Sequence, residues 1–194
     1  MINNFIVYNR LNMKSNILLL TFCMVTLVIS HSTSANLNQT NRDKKVIADC
    51  NDARTSFISS DGLMKNLFNN AYSYVIFPNI GKGGFGIGGA TGNGVVYRKG
   101  KIIGMARMTQ VTIGFQAGGQ AYREVIFFEN ERVLNQFTDN KFEFSAQASA
   151  IVVSEGASAN IKFTNGVMIF TQPKGGLMYE ASIGGQNFSY KAFR

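Results

Sequence analysis

From Val46 the apolar positions fall at helical spacing. Val46, Ile47, Cys50, Ala53, Phe57 and Ile58 lie three or four apart, with Arg42, Asp43, Lys44, Lys45, Asp52 and Arg54 off that face. Ser59-Ser60-Asp61-Gly62 breaks the run and caps a second predicted helix carrying Leu63, Leu67, Phe68, Ala71 and Tyr72. The period then changes. Tyr74 to Phe77 reads as a short strand ended by Pro78, and in the glycine-dense run Gly81 to Gly94 Phe85 and Ile87 alternate with glycine. Val95 to Arg98 and Ile102 to Met108 flank Lys99-Gly100, a hairpin turn. Val111, Ile113 and Phe115 alternate, and Val125 to Phe128 is a fully apolar strand. Glu129 to Thr138 predicts one short helix with Val133, Leu134 and Phe137 on one side. Strands resume at Phe142 and Phe144 and lead through a small-residue run to Val153. Asn165-Gly166 is the strongest hairpin signal, because both residues accept the positive φ of a type I′ turn. Leu177 to Ile183 and Phe188 to Phe193 close the chain. The expected fold class is α+β: N-terminal helices packed on a large antiparallel β-sheet or barrel-like β core of about seven to nine strands, with one short helical insertion.

The start of the chain reads differently. Ile17 to Ile29 is apolar, Lys14 precedes it, and Thr33-Ser34-Ala35 supplies small residues at −3 and −1. This predicts a secretory signal over residues 1–35, with Met13 the more typical start than Met1. As a helix the apolar run rises roughly 20 Å, short of the roughly 30 Å hydrocarbon core. Phe22 before Cys23 argues against lipidation there. Residues 36–45 are expected to be a flexible segment and 46–194 one domain, in an exported protein that is periplasmic, associated with the outer membrane, or secreted.

Removing 35 residues leaves 159, drops Arg10 and Lys14 so that +8 becomes +6, and removes the one histidine. Only Cys50 remains of two cysteines. Histidine-based triads, dyads and metal sites are therefore excluded from the remaining chain. Gly81, Gly83 and Gly86 spell G-x-G-x-x-G, but no helix follows them, so no dinucleotide loop is expected. The eleven acids show no pairing pattern. The sequence thus predicts a non-enzyme without catalytic residues, metal or cofactor.

A net +6 points to anionic partners. Nucleic acid is not expected, since no binding motif is present. Anionic lipid headgroups fit better, and the basic candidates are Arg42, Lys44, Lys45, Arg54, Lys82, Arg98, Lys99 and Lys101. Reversing Lys44 and Lys45 is expected to weaken membrane binding more than reversing Lys174. A small outer-membrane barrel is the alternative on length, and a structural envelope protein another. Two leading helices, apolar Val125 to Phe128 and a C-terminal Arg194 speak against the barrel.

Ala71 to Pro78, then Lys82-Gly83-Gly84-Phe85-Gly86-Ile87-Gly88-Gly89 and Gly92-x-Gly94-Val95, resemble the opening of the SYLF domain. Gly114-Phe115-Gln116-Ala117-Gly118 resembles its G-x-Q-x-G strand, and Gly175 to Gly185 its C-terminal glycine motif. The motif positions are Phe77, Pro78, Lys82, Gly84, Phe85, Gly86, Gly88, Gly89, Gly92, Gly94, Gly114, Gln116 and Gly118. The resemblance covers roughly Val46 to Phe193. It departs where the family often has a Trp-Ser pair and a proline, here Ile102-Ile103-Gly104-Met105-Ala106, and at Ala181, a usual glycine. The resemblance implies lipid binding. Animal members bind phosphoinositides through the N-terminal part and fungal ones bind actin, so either activity here presupposes access to a host cell.

Overall fold

The computed structural model describes residues 40–114, 120–142, 149–175 and 181–193, with the backbone alone at 84–87, 112–114, 120, 149 and 181–182. The predicted signal and most of the segment after it lie outside the described residues. The chain divides into two units, Met1–Lys44 and Lys45–Arg194. Of the first, residues 40–44 are described and helical. They open α1 (residues 40–60), whose remainder belongs to the second unit.

In the second unit α1 buries Cys50, Ala53 and Phe57, with Val46, Ile47 and Ile58 half-buried beside them, as the spacing predicts. Asp61 ends the helix. Its N–H donates to Phe57 O at 3.0 Å, while Oδ1 accepts from Leu63 N at 3.0 Å. The turn leads into α2 (Met64–Asn70), shorter than predicted: it buries Met64 and Phe68 but leaves Leu63 exposed, and Ala71 and Tyr72 lie beyond it. Asp61 Oδ2 also accepts from Ser158 N at 2.8 Å and Ser158 Oγ at 2.7 Å. Burial pushes this carboxyl up, but the bonds from Ser158, Leu63 and Gly156 outweigh burial and hold it below its usual value. A depressed pKa means stability present above the ordinary carboxylate range and lost as pH falls through the folded value. Asp61→Ala strands the Leu63 and Ser158 N–H groups, so denaturant unfolding should show a loss of about 2–4 kcal/mol.

The strands are β1 (Ser73–Arg98), β2 (Lys101–Gly114), β3 (Gln120–Phe128), β4 (Ser149–Val152), β5 (Val167–Pro173), β6 (Ala181–Ser182) and β7 (Gln186–Ala192). Between β3 and β4 stands α3 (Glu131–Thr138), capped by Asn130, whose side chain accepts from Val133 N at 3.2 Å. The sheet order is β6-β4-β5-β3-β1-β2-β7. It is open, with β6 and β7 as edges, not a closed barrel. All pairs are antiparallel except β4 with β5, which is parallel and departs from the expected antiparallel sheet. Both predicted tight turns are present. Lys99 and Gly100 have φ of 49° and 76°, Asn165 and Gly166 of 52° and 80°.

β1 does not stop at Pro78. A register shift between Phe77 and Ile80 absorbs the proline, which has no N–H to give to the ladder. The shift also restores facing, so that Phe77 and Ile80 share one side of the sheet. Twenty-six extended residues would span about 85 Å, yet Tyr74 and Tyr97 stack with ring centroids 4.8 Å apart and Lys99 N donates to Tyr72 O at 3.1 Å. β1 therefore doubles back on itself. Its first arm, to Lys82, pairs with β3, its second, from Gly86, pairs with β2, and the glycine-rich segment between them makes the reversal.

The sheet separates two cores. Tyr74, Ile76, Val95, Tyr97, Val125, Phe127 and Phe170 face α1 and α2. Val75, Phe77, Ile80, Val96, Ile126 and Phe128 face α3, through Val133, Leu134 and Phe137. Strands covered on both sides lose the polar alternation that a half-exposed strand shows, hence the unbroken Val125 to Phe128. On the α3 side the sheet is strongly curled. β3 and the first arm of β1 are four and three strand spacings from β7, about 19 and about 14 Å if flat, but Gln186 Nε2 reaches Glu124 Oε2 at 3.0 Å and the Phe77 and Phe188 rings lie 5.8 Å apart. A membrane barrel needs closure and an exposed apolar outer face, whereas here two edges stand open and helices cover one face and part of the other.

Candidate functional site

The basic candidates divide by position. Arg98, Lys99 and Lys101 gather at the β1–β2 turn and are all exposed. The turn is pinned, because Lys99 N donates to Tyr72 O and the side chains converge on Tyr72: Arg98 Cζ lies 5.5 Å and Lys99 Nζ 5.9 Å from its ring centroid. Arg98 also pairs with Glu131 Oε1 at 3.2 Å, at the start of α3. An exposed bridge of this kind contributes little to stability, so the guanidinium can exchange that partner for another anion. Tyr72 was invisible as a site residue in the sequence, since it read as the end of a helical face. The signal available was an aromatic ring one step outside β1, opposite the turn that closes it.

Lys82 is toward the other end of the sheet, about 30 Å from Arg98 by the nine-residue rise of the first arm from Ser73, beside the turn. It is 9 % exposed, and burial holds its ammonium below the usual lysine value. Of the predicted headgroup contacts it is the one the fold turns inward. Lys45 lies toward that same end: it pairs with Asp49 at 3.3 Å, and Asp49 accepts from Asn79 Nδ2 at 3.2 Å. Lys174, whose reversal is expected from the sequence to weaken binding less than that of Lys44 and Lys45, also bonds Asn79 and so sits beside Lys45. Arg54 lies between the two ends, half-buried, 5.3 Å over the Phe68 ring and bonded to Asn69 Oδ1 at 3.2 Å. Arg42 and Lys44 are exposed on the helical residues of the first unit.

The motif glycines are mostly matters of space. Phe77 and Pro78 are buried, and a Cβ at Gly92 or Gly94 would overlap the first arm of β1. Gly88 and Gly89 lie in the second arm, where a Cβ at Gly89 would meet Gln110 O at 3.4 Å. Gly84, Phe85, Gly86 and Gly114 are described in backbone only, within β1 and β2, while Gln116 and Gly118 lie outside the described residues. Cys50 is buried and donates to Ile76 O at 3.4 Å. Burial pushes its thiol up to about 12, the mark of an inert cysteine.

Residues 109–191 match the family described as Ysc84, Las17-binding protein actin regulator. The match runs from late β2 through β7, and the glycine-rich β1 precedes it. The chain is also 27% identical over 125 residues to Beta cell expansion factor A of Aeromonas veronii, an alignment covering 64% of this chain and 48% of that protein. The chain thus spans about half the length of this curated relative.

Proposed function

Since the chain carries a Ysc84/SYLF-family domain, of a family associated with lipid and actin binding and generally non-catalytic, we propose that it is a non-enzymatic membrane-binding protein of the cell envelope. Its contact with anionic headgroups is made at the β1–β2 turn. The observation that carries this reading is the convergence of Arg98 and Lys99 on Tyr72, with Lys101 across the turn. Three exposed cations on a turn of fixed backbone present a compact positive surface, and an aromatic ring beneath them suits the boundary between headgroup and water. Each cation near an anionic bilayer contributes about 1 kcal/mol. A phosphoinositide headgroup, as phosphate, offers the same chemistry.

Co-sedimentation of the full chain with vesicles containing an anionic phospholipid tests it, with purely zwitterionic vesicles as reference. The apolar segment 17–29 is present in both samples, so only their difference counts. The expected result is an excess in the anionic pellet that fades as salt rises. Equal pelleting in both at low salt would contradict it. The family description names an actin regulator, so direct binding to actin is the second reading, and co-sedimentation with filaments tests it.

A further inference from the structure

The curled face holds a polar pair, Glu124 and Gln186, with no part in headgroup binding. Glu124, in the middle of β3, is wholly buried, opposite Phe77 on β1 and Thr171 on β5. Its Oε2 accepts from Nε2 of Gln186, the buried first residue of edge strand β7. The other two oxygens of this pair, Glu124 Oε1 and Gln186 Oε1, are both buried and have no hydrogen-bond partner among the described residues. Both are acceptors, and between themselves an ionised carboxylate and an amide cannot satisfy them; of the neighbouring hydroxyls, Thr171 Oγ1 opposite Glu124 is buried and bonds neither oxygen, and that of Tyr122 interacts with the Gln186 side chain. A proton on Glu124 Oε1 satisfies both oxygens. The acid O–H then donates to Gln186 Oε1 while the amide donates to Oε2, closing a two-bond ring.

We propose that Glu124 and Gln186 form a proton-dependent clasp: with Glu124 neutral the two-bond ring holds edge strand β7 across the concave face onto β3, and with Glu124 ionised the clasp loses a bond and the edge loosens. Among the described residues the titratable groups on this face are Tyr122, Tyr190, Tyr72 and Lys82, and α3 adds Val133, Leu134 and Phe137. Burial raises the Tyr122 and Tyr190 hydroxyls, so they stay neutral, and lowers Lys82. Burial likewise pushes the Glu124 carboxyl up, to about 7, against a smaller opposing pull from Gln186. A raised folded pKa means that the clasp's contribution is complete below the ordinary glutamate value and is lost as pH rises through about 7.

Glu124→Gln supplies a neutral amide of the same shape that closes the same ring at every pH. Thermal unfolding of the full chain and of this variant, from about pH 5 to about pH 9, should show the wild-type midpoint falling relative to the variant up to about pH 7 and staying at a constant offset above it. Parallel curves would overturn the proposal. Backbone amide exchange gives the second readout. In the wild type the β7 amides should lose about tenfold protection across the same range, the equivalent of one ordinary hydrogen bond. In Gln186→Leu they should be weakly protected at both ends. Protection of β7 that is independent of pH in the wild type, as a buried water network around a permanently ionised carboxylate would give, would also overturn it.

Discussion

Gly94→Val should cost about 3 kcal/mol or more and leave little folded protein at physiological temperature. A Cβ at position 94 would lie 2.5 Å from Ile76 O and 2.7 Å from Phe77 Cδ1. The first of these is backbone, in the other arm of the same strand, and cannot step aside without parting the two arms. The contacts that would part with them are the Tyr74–Tyr97 stack and the Lys99–Tyr72 bond that fixes the basic turn. Gly83→Ala is the matched comparison. Nothing lies within 4 Å of its Cβ, and the change should move stability by about 0.5 kcal/mol or less. Denaturant unfolding of both separates two roles within one glycine run: close approach at Gly92 and Gly94, and none required at Gly81 or Gly83. A mild effect at Gly94 would mean that the arms of β1 are not held together as described.

The second large effect is on binding. Neutralising Arg98, Lys99 and Lys101 together, as Arg98→Gln, Lys99→Asn and Lys101→Gln, should weaken anionic-vesicle affinity by about 3 kcal/mol, on the order of 100-fold. Asparagine is chosen at 99 because the backbone there has φ of 49°, which asparagine tolerates. The side chains are exposed and the single ion pair, with Glu131, is weak, so the unfolding midpoint should stay within about 0.5 kcal/mol of wild type. Neutralising Lys82 should change binding far less, because its ammonium is drawn into the fold. Lys45 and Lys174 no longer make a fair comparison with each other, since both lie by Asn79.

What was legible in the sequence was local. The amphipathic face of α1, the short helix α3 and the two turns at Lys99-Gly100 and Asn165-Gly166 depend on spacing and on positive φ within a few residues. The family resemblance was legible too, in the ordered glycine motifs. The misread features depend on contacts distant along the chain. Pro78 marks a strand end only where no bulge takes it up. The doubling of β1 is hidden because glycine has no side chain to show a period. The parallel pairing of β4 with β5 has no signature in four small and branched residues. The burial of Lys82 follows from its phase after the bulge, and the curl that brings Gln186 to Glu124 sums small twists over five strands. The same holds for the site: the cations at 98, 99 and 101 were visible as a cluster, and the tyrosine beneath them was not.

The most direct measurement is co-sedimentation of the wild type and the triple neutral variant side by side on anionic and zwitterionic vesicles at low salt. The wild type should pellet with the anionic vesicles well beyond the zwitterionic level, and the variant should fall back to that level while unfolding at the same denaturant concentration. A variant that still binds anionic vesicles as the wild type does, with its fold intact, would contradict the placement of the membrane contact at the β1–β2 turn.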